Sequence, residues 1–220
     1  MTAPDSDRTA EPSNRWRVVD LVTVSVLGST FGVVYWAWNQ LWLLTTPLFL
    51  FFPPAQAIGY GVWMLPQVMA VMLVRRRGAA VFGSMSAVIV SAFLGNVFGL
   101  TVLLYGVVQG GLTELVFAVS RYRFFNWFTA GLGTGLAAAG GTTLDVVLYY
   151  PFWTVGWKLA YIAIGGCGSF LLGALLAPFV VRRLASAGAL DGLPAGRFAS
   201  QVDVAVLPAV AAHQQPGGDR

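Results

Sequence analysis

The chain has 220 residues, of which 57% are hydrophobic and 10% charged, with a net charge of +4 and a mean hydropathy of +0.71. Soluble domains usually carry about 25% charged residues, so a water-exposed globule is excluded and the chain reads as one all-α membrane bundle. Its positive balance is explained by membrane orientation and points to no nucleic acid partner. One cysteine (Cys167) and one histidine (His213, in a polar tail) exclude an intramolecular disulfide and leave neither a cofactor nor a metal centre to expect.

Residues 1–14 are polar and without periodicity, and read as a disordered N-terminal tail. The first span, 18–44, carries one charge, Asp20, at its start. At ~1.5 Å per residue it is longer than the ~30 Å hydrocarbon core requires. Its first half presents Ser25, Gly28, Ser29 and Gly32 as two small-x3-small patterns, and its second half presents Tyr35, Trp36, Trp38, Asn39, Gln40 and Trp42 as an aromatic, amide-bearing site. The small residues read as a docking seam for a separate membrane subunit, with packing inside the bundle as the alternative.

A connection, 45–54, holds Pro47, Pro53 and Pro54 and breaks the helix. The second span, 55–74, contains Pro66, an expected kink, and ends in Arg75–Arg76–Arg77. The third covers 79–95, with Gly83, Ala87 and Ser91 as a further small-residue face. The fourth covers 99–120, interrupted by Gly106, Gly110 and Gly111, and ends at Arg121 and Arg123. The fifth covers 125–148. The aromatic connection 149–157 precedes the sixth, 158–181, which ends at Arg182–Arg183. The domain is thus 15–185, and 186–220 read as a mostly disordered C-terminal tail.

The basic clusters at 15/17, 75–77, 121/123 and 182–183 fall at alternate crossings, and the connections 45–54, 95–98 and 149–157 hold no lysine or arginine. By the positive-inside rule both termini are cytoplasmic, with six spans in the plasma membrane.

Few side chains within the spans can do chemistry. Glu114 is the deepest acid and reads either as a ligand or coupling contact or as a structural hydrogen bond between helices. Asp145, near the outer end of the fifth span, reads as an interfacial charge or a ligand contact. Lys158 reads as a snorkelling anchor. The amides Asn39, Gln67, Asn96 and Gln109, with Trp36, Trp38, Trp63, Tyr105 and Trp153, suggest an outer pocket for a flat, polar ligand. An intramembrane enzyme would need a histidine or a paired nucleophile and base within the spans, and His213 lies outside them. A structural membrane subunit and a solo transporter of another small heterocyclic vitamin are the alternatives. No nucleotide-binding loop is present, so any ATPase is another chain.

Several segments in order resemble the YkoE family. They are Trp16–Asp20 running into Val26–Trp38, Gly59–Pro66, Arg77–Gly78–Ala79, Gln109–Gly110 with Glu114–Phe117, and Tyr122. The likeness spans about 15–185. It implies the six-helix substrate-binding (S) component of an energy-coupling-factor (ECF) ABC importer, taking up thiamine or its hydroxymethylpyrimidine (HMP) precursor. It also implies a transmembrane coupling subunit and two ABC-type ATPases as partners. Acidic side chains are common in the family near the positions of Ser84 and Ser91. With serines there, the neutral pyrimidine is expected to matter more than the thiazolium.

Overall fold

The computed structural model describes residues 15–186, 193 and 195. Among them are six α-helices: α1 (Val18–Thr45), α2 (Leu65–Val74), α3 (Ala79–Phe93), α4 (Thr101–Val119), α5 (Trp127–Leu148) and α6 (Val155–Ser186). A short 3₁₀ turn, Thr46–Phe49, follows α1, and a 3₁₀ segment, Pro53–Met64, leads directly into α2. Four stretches are long and apolar enough to cross a membrane: Val18–Phe49, Pro53–Val74, Thr101–Val119 and Val155–Leu184. Helix α3 is apolar but shorter, and α5 is rich in glycine, threonine and alanine. The tail at 1–14 lies outside the described residues, as does 187–220 apart from Leu193 and Ala195. Those two are buried against Val24, Ala70, Leu73 and Val74.

Three local expectations change. Pro66 does not lie inside a continuous α-helix: it sits in the first turn of α2, directly after the 3₁₀ segment, a position where proline is well tolerated. The second span is 3₁₀ rather than α over its first half, beginning at Pro53–Pro54. Gly61 there lies so close to α6 that an added Cβ would fall 2.8 Å from Leu172 Cδ2. Gly106 and Gly110 do not interrupt α4. An added Cβ would lie 2.6 Å from Val88 Cγ2 at Gly106 and 2.9 Å from Ser84 Cβ at Gly110, so these glycines let α4 close onto α3.

The same reasoning corrects the seam on α1. A Cβ at Gly28 would lie 2.3 Å from Ser86 Cβ, and one at Gly32 2.5 Å from Val90 Cβ. Both glycines are buried against α3, so this part of the seam is closed within the chain and is not a free docking surface. Small residues allow close backbone approach, and the nearest available backbone is α3. Ser25 is half-buried and Ser29 stays exposed.

All four arginine clusters gather at one end of the bundle. Arg76 Nε pairs with Asp20 at 3.2 Å, and Trp16 Nε1 donates to the Arg77 carbonyl at 3.2 Å. The Arg75 guanidinium lies 4.6 Å from the centre of the Phe125 ring. Val181 of α6 packs on the core shared by α2, α3 and α4. The connections without basic residues meet at the other end: Phe98 and Tyr149 are in ring contact, and the Thr101 and Tyr149 hydroxyls are 3.0 Å apart.

Candidate ligand-binding site

The arginine-free end encloses a cavity of about 230 Å³. Helix α1 contributes Tyr35, Asn39 and Trp42, and the 3₁₀ segment contributes Tyr60 and Trp63. The α3–α4 turn supplies Asn96 and Phe98, and α4 supplies Tyr105 and Gln109. Asp145 of α5, Tyr149 and Tyr150 of the last connection and Tyr161 of α6 complete the wall.

The 3₁₀ winding matters here. At three residues per turn, side chains at i and i+3 eclipse, so Tyr60 and Trp63 present one continuous aromatic edge. Their rings meet edge to face at 5.0 Å, and Trp63 also lies 4.7 Å from Trp42. Asn39 Oδ1 accepts from Trp63 Nε1 at 2.9 Å, and the Tyr35 hydroxyl donates to the Trp63 carbonyl. Trp63 is thereby held at both its indole and its backbone. An indole N–H in an apolar setting needs such a partner.

On the facing wall, Gly133, Ala137, Gly141 and Asp145 recur every four residues and are buried on one stripe of α5. An added Cβ at Gly141 would lie 2.6 Å from Gln109 Nε2 and 2.7 Å from the Tyr60 hydroxyl, so the bare backbone makes room for both. One turn further on, Asp145 Oδ1 accepts from the Tyr105 hydroxyl and Oδ2 from the Tyr161 hydroxyl at 2.9 Å. Asp145 is 8% exposed. The Tyr150 hydroxyl is pushed above the usual tyrosine range, first by burial and then by the Asp145 charge.

Of the residues singled out in the sequence, the cavity brings together Asn39, Trp63, Asn96 and Gln109. Asn96 also folds its own turn, donating to Ser91 Oγ at 2.7 Å and accepting from Phe98 N at 2.9 Å. Gln67 is fully buried outside the cavity wall, with the Tyr35 hydroxyl 3.4 Å from its Oε1. Trp153 stacks on Tyr150 at 4.1 Å and backs the wall without lining it. Trp36 is 38% exposed on the outer face of α1, away from the lining.

Glu114 requires a correction. It lies at the arginine end, where its carboxylate accepts from Gly78 N at 2.6 Å, from Ala80 N at 2.9 Å and from the Tyr122 hydroxyl. It caps α3, whose first N–H groups have no helical partner. Burial and, next, this bond raise the Tyr122 hydroxyl above its ordinary range. Glu114 therefore makes structural hydrogen bonds between elements and does not line the cavity.

Tyr35 belongs to the aromatic half of the first span that the sequence marks as a site, whereas Tyr60, Tyr161 and Phe98 are not marked there and Asp145 is left open. For Asp145 a signal was available, since it continues the four-residue repeat of small side chains on α5. For Phe98 and Tyr149 none was, because turn residues carry no period. Among the described residues no group of three or more His, Cys, Asp or Glu is placed to hold a metal ion.

Comparison with known proteins agrees with this architecture. A family model described as ABC-type cobalt transport system, permease component, matches residues 19–140. A curated relative from Bacillus subtilis (strain 168), the putative HMP/thiamine permease protein YkoE, is 31% identical over 186 residues, covering 83% of this chain and 91% of the relative. A crystal structure of an S-component of an ECF transporter aligns with a TM-score of 0.83 and 27% identity, covering 92% of this chain and 100% of the other.

Proposed function

The chain belongs to the YkoE family of multi-pass membrane transport proteins, and from that premise we propose that it is the substrate-binding subunit of an ECF-type ABC importer for thiamine or HMP. The carrying observation is the aromatic cavity at the arginine-free end, with Trp63 held rigidly by Asn39 and Tyr35. A flat heterocycle suits such a wall because ring faces offer apolar area, while Asn39, Asn96 and Gln109 offer both donors and acceptors to its edge. With the arginine end in the cytoplasm, the cavity faces outward, where an importer captures its cargo. The subunit binds and presents; its partners are a transmembrane coupling subunit and two ABC-type ATPases, which supply the nucleotide-driven step. We assign the coupling subunit to the small surface that α3 leaves uncovered on α1, at Ser25 and Ser29.

Two experiments test this reading. Titration of purified protein with thiamine and with HMP should show saturable binding of at least one, and binding of neither refutes the ligand assignment. Cysteines at Phe51 and Phe152, both exposed at the arginine-free end, should react with an impermeant thiol reagent added outside cells. A cysteine at Gly78 should not, and its labelling from outside would reverse the orientation.

A further inference from the structure

Asp145 is a carboxylate in the wall of a largely aromatic cavity, and both its oxygens accept hydrogen bonds from tyrosine hydroxyls. This arrangement suits the ionised form, whose two oxygens each accept from a hydroxyl. The Tyr60 hydroxyl also bonds this carboxylate, and of its about four lone-pair sites about one remains. Among the described residues no lysine or arginine pairs with it. The Asp20–Arg76 pair lies at the arginine end, and the Lys158 ammonium donates to the Pro151 carbonyl at 2.8 Å.

Phenol hydroxyls stabilise a carboxylate without cancelling its charge. A buried anion lacking a counter-cation is unfavourable in a low-dielectric setting, and a cation brought into the cavity relieves it. The neighbouring wall is suited to the same guest. Tyr60 stands beside both Tyr161 and Trp63, and electron-rich ring faces attract a cation most strongly where water is excluded.

We infer that the ligand of this cavity carries a permanent positive charge seated against Asp145, which makes Asp145 the residue that selects cationic over neutral heterocycles. The inference rests on the vitamin-binding reading above and narrows it. Thiamine carries a quaternary thiazolium, whereas HMP is uncharged near neutral pH, so thiamine is the favoured cargo. This reverses the expectation drawn from Ser84 and Ser91, because the acid that meets the charge stands on α5 and not on α3.

The test is equilibrium titration of the full-length protein with thiamine and with HMP, for wild type, Asp145→Asn and Asp145→Glu. Wild type should prefer thiamine by about 10-fold or more, Asp145→Asn should bring that ratio below about 3-fold, and Asp145→Glu, which keeps the charge, should retain a clear preference. Equal or tighter binding of HMP by wild type overturns the inference while leaving the vitamin reading intact, as does full thiamine preference in Asp145→Asn. Binding of neither compound overturns the vitamin reading and the inference with it. Should Asp145→Asn fail to fold, wild type decides through competition. A neutral, ring-closed thiamine derivative lacking the thiazolium charge should displace thiamine at least about 10-fold less well than thiamine itself, and equal displacement refutes the inference.

Discussion

Glu114 and Asp145 are both acids in apolar helices, and the two ends of the molecule use them in opposite ways. At the arginine end Glu114 meets two backbone N–H groups and a tyrosine, Asp20 meets Arg76, and the glycine face of α1 is filled by α3. At the other end Asp145 meets only hydroxyls and faces a cavity. The first pattern fixes chain geometry; the second leaves charge and a lone pair directed at a space. Burial alone does not separate a structural acid from a binding one. The identity of the donors does: backbone amides that need capping in one case, side chains around a void in the other.

Substitutions that fill the closed seam should have the largest effect on the folded protein. Gly32→Leu pushes a side chain into Val90 and the Ala87 carbonyl, and is expected to destabilise by ~3 kcal/mol or more, read as lost thermal stability in detergent. Gly111→Leu, with nothing within 4 Å of the added Cβ, is the control and should remain folded. If both behave alike, the α1–α3 contact is not what the glycines serve.

A smaller loss is expected from Glu114→Ala, which leaves the first N–H groups of α3 without their acceptor. That costs about 2–4 kcal/mol. Ligand affinity of the folded fraction should stay within ~2-fold of wild type, because the cap lies at the far end from the cavity. A large drop in affinity with stability unchanged would restore Glu114 to the binding site. The smallest effect belongs to Tyr149→Phe, which removes the exposed hydroxyl contact with Thr101 at 3.0 Å. Less than ~1 kcal/mol should be lost, measured by the same melt.

Much of the fold was legible because membrane physics writes it plainly. Long apolar runs and alternating arginine clusters gave six helices and two ends. The segments that carry the family resemblance serve both ends: Tyr35, Tyr60, Trp63 and Gln109 line the cavity, and the others build the scaffold of the arginine end. Trp16 and Asp20 tie to Arg77 and Arg76, and Gly78, Glu114 and Tyr122 form the α3 cap. The site was only half legible. Asn39, Trp63, Asn96 and Gln109 could be picked out as polar or aromatic residues at the right depth, but which face of α1 looks inward could not. Its residues are apolar all round, so Trp36 and Trp42 are indistinguishable until α3 and the 3₁₀ segment are in place. The 3₁₀ winding that aligns Tyr60 with Trp63 was hidden for a similar reason, since the apolar run there carries no period that distinguishes it from an α-helix.

The central claim is that ligand binds in the arginine-free cavity against Trp63 and not on the outer aromatic face of α1. The most direct measurement is thiamine titration of purified wild type, Trp63→Ala and Trp36→Ala. Trp63→Ala should weaken binding at least ~10-fold, about 1.4 kcal/mol, while Trp36→Ala should change it less than ~2-fold. Undiminished binding by Trp63→Ala, together with a 10-fold loss in Trp36→Ala, would contradict the account.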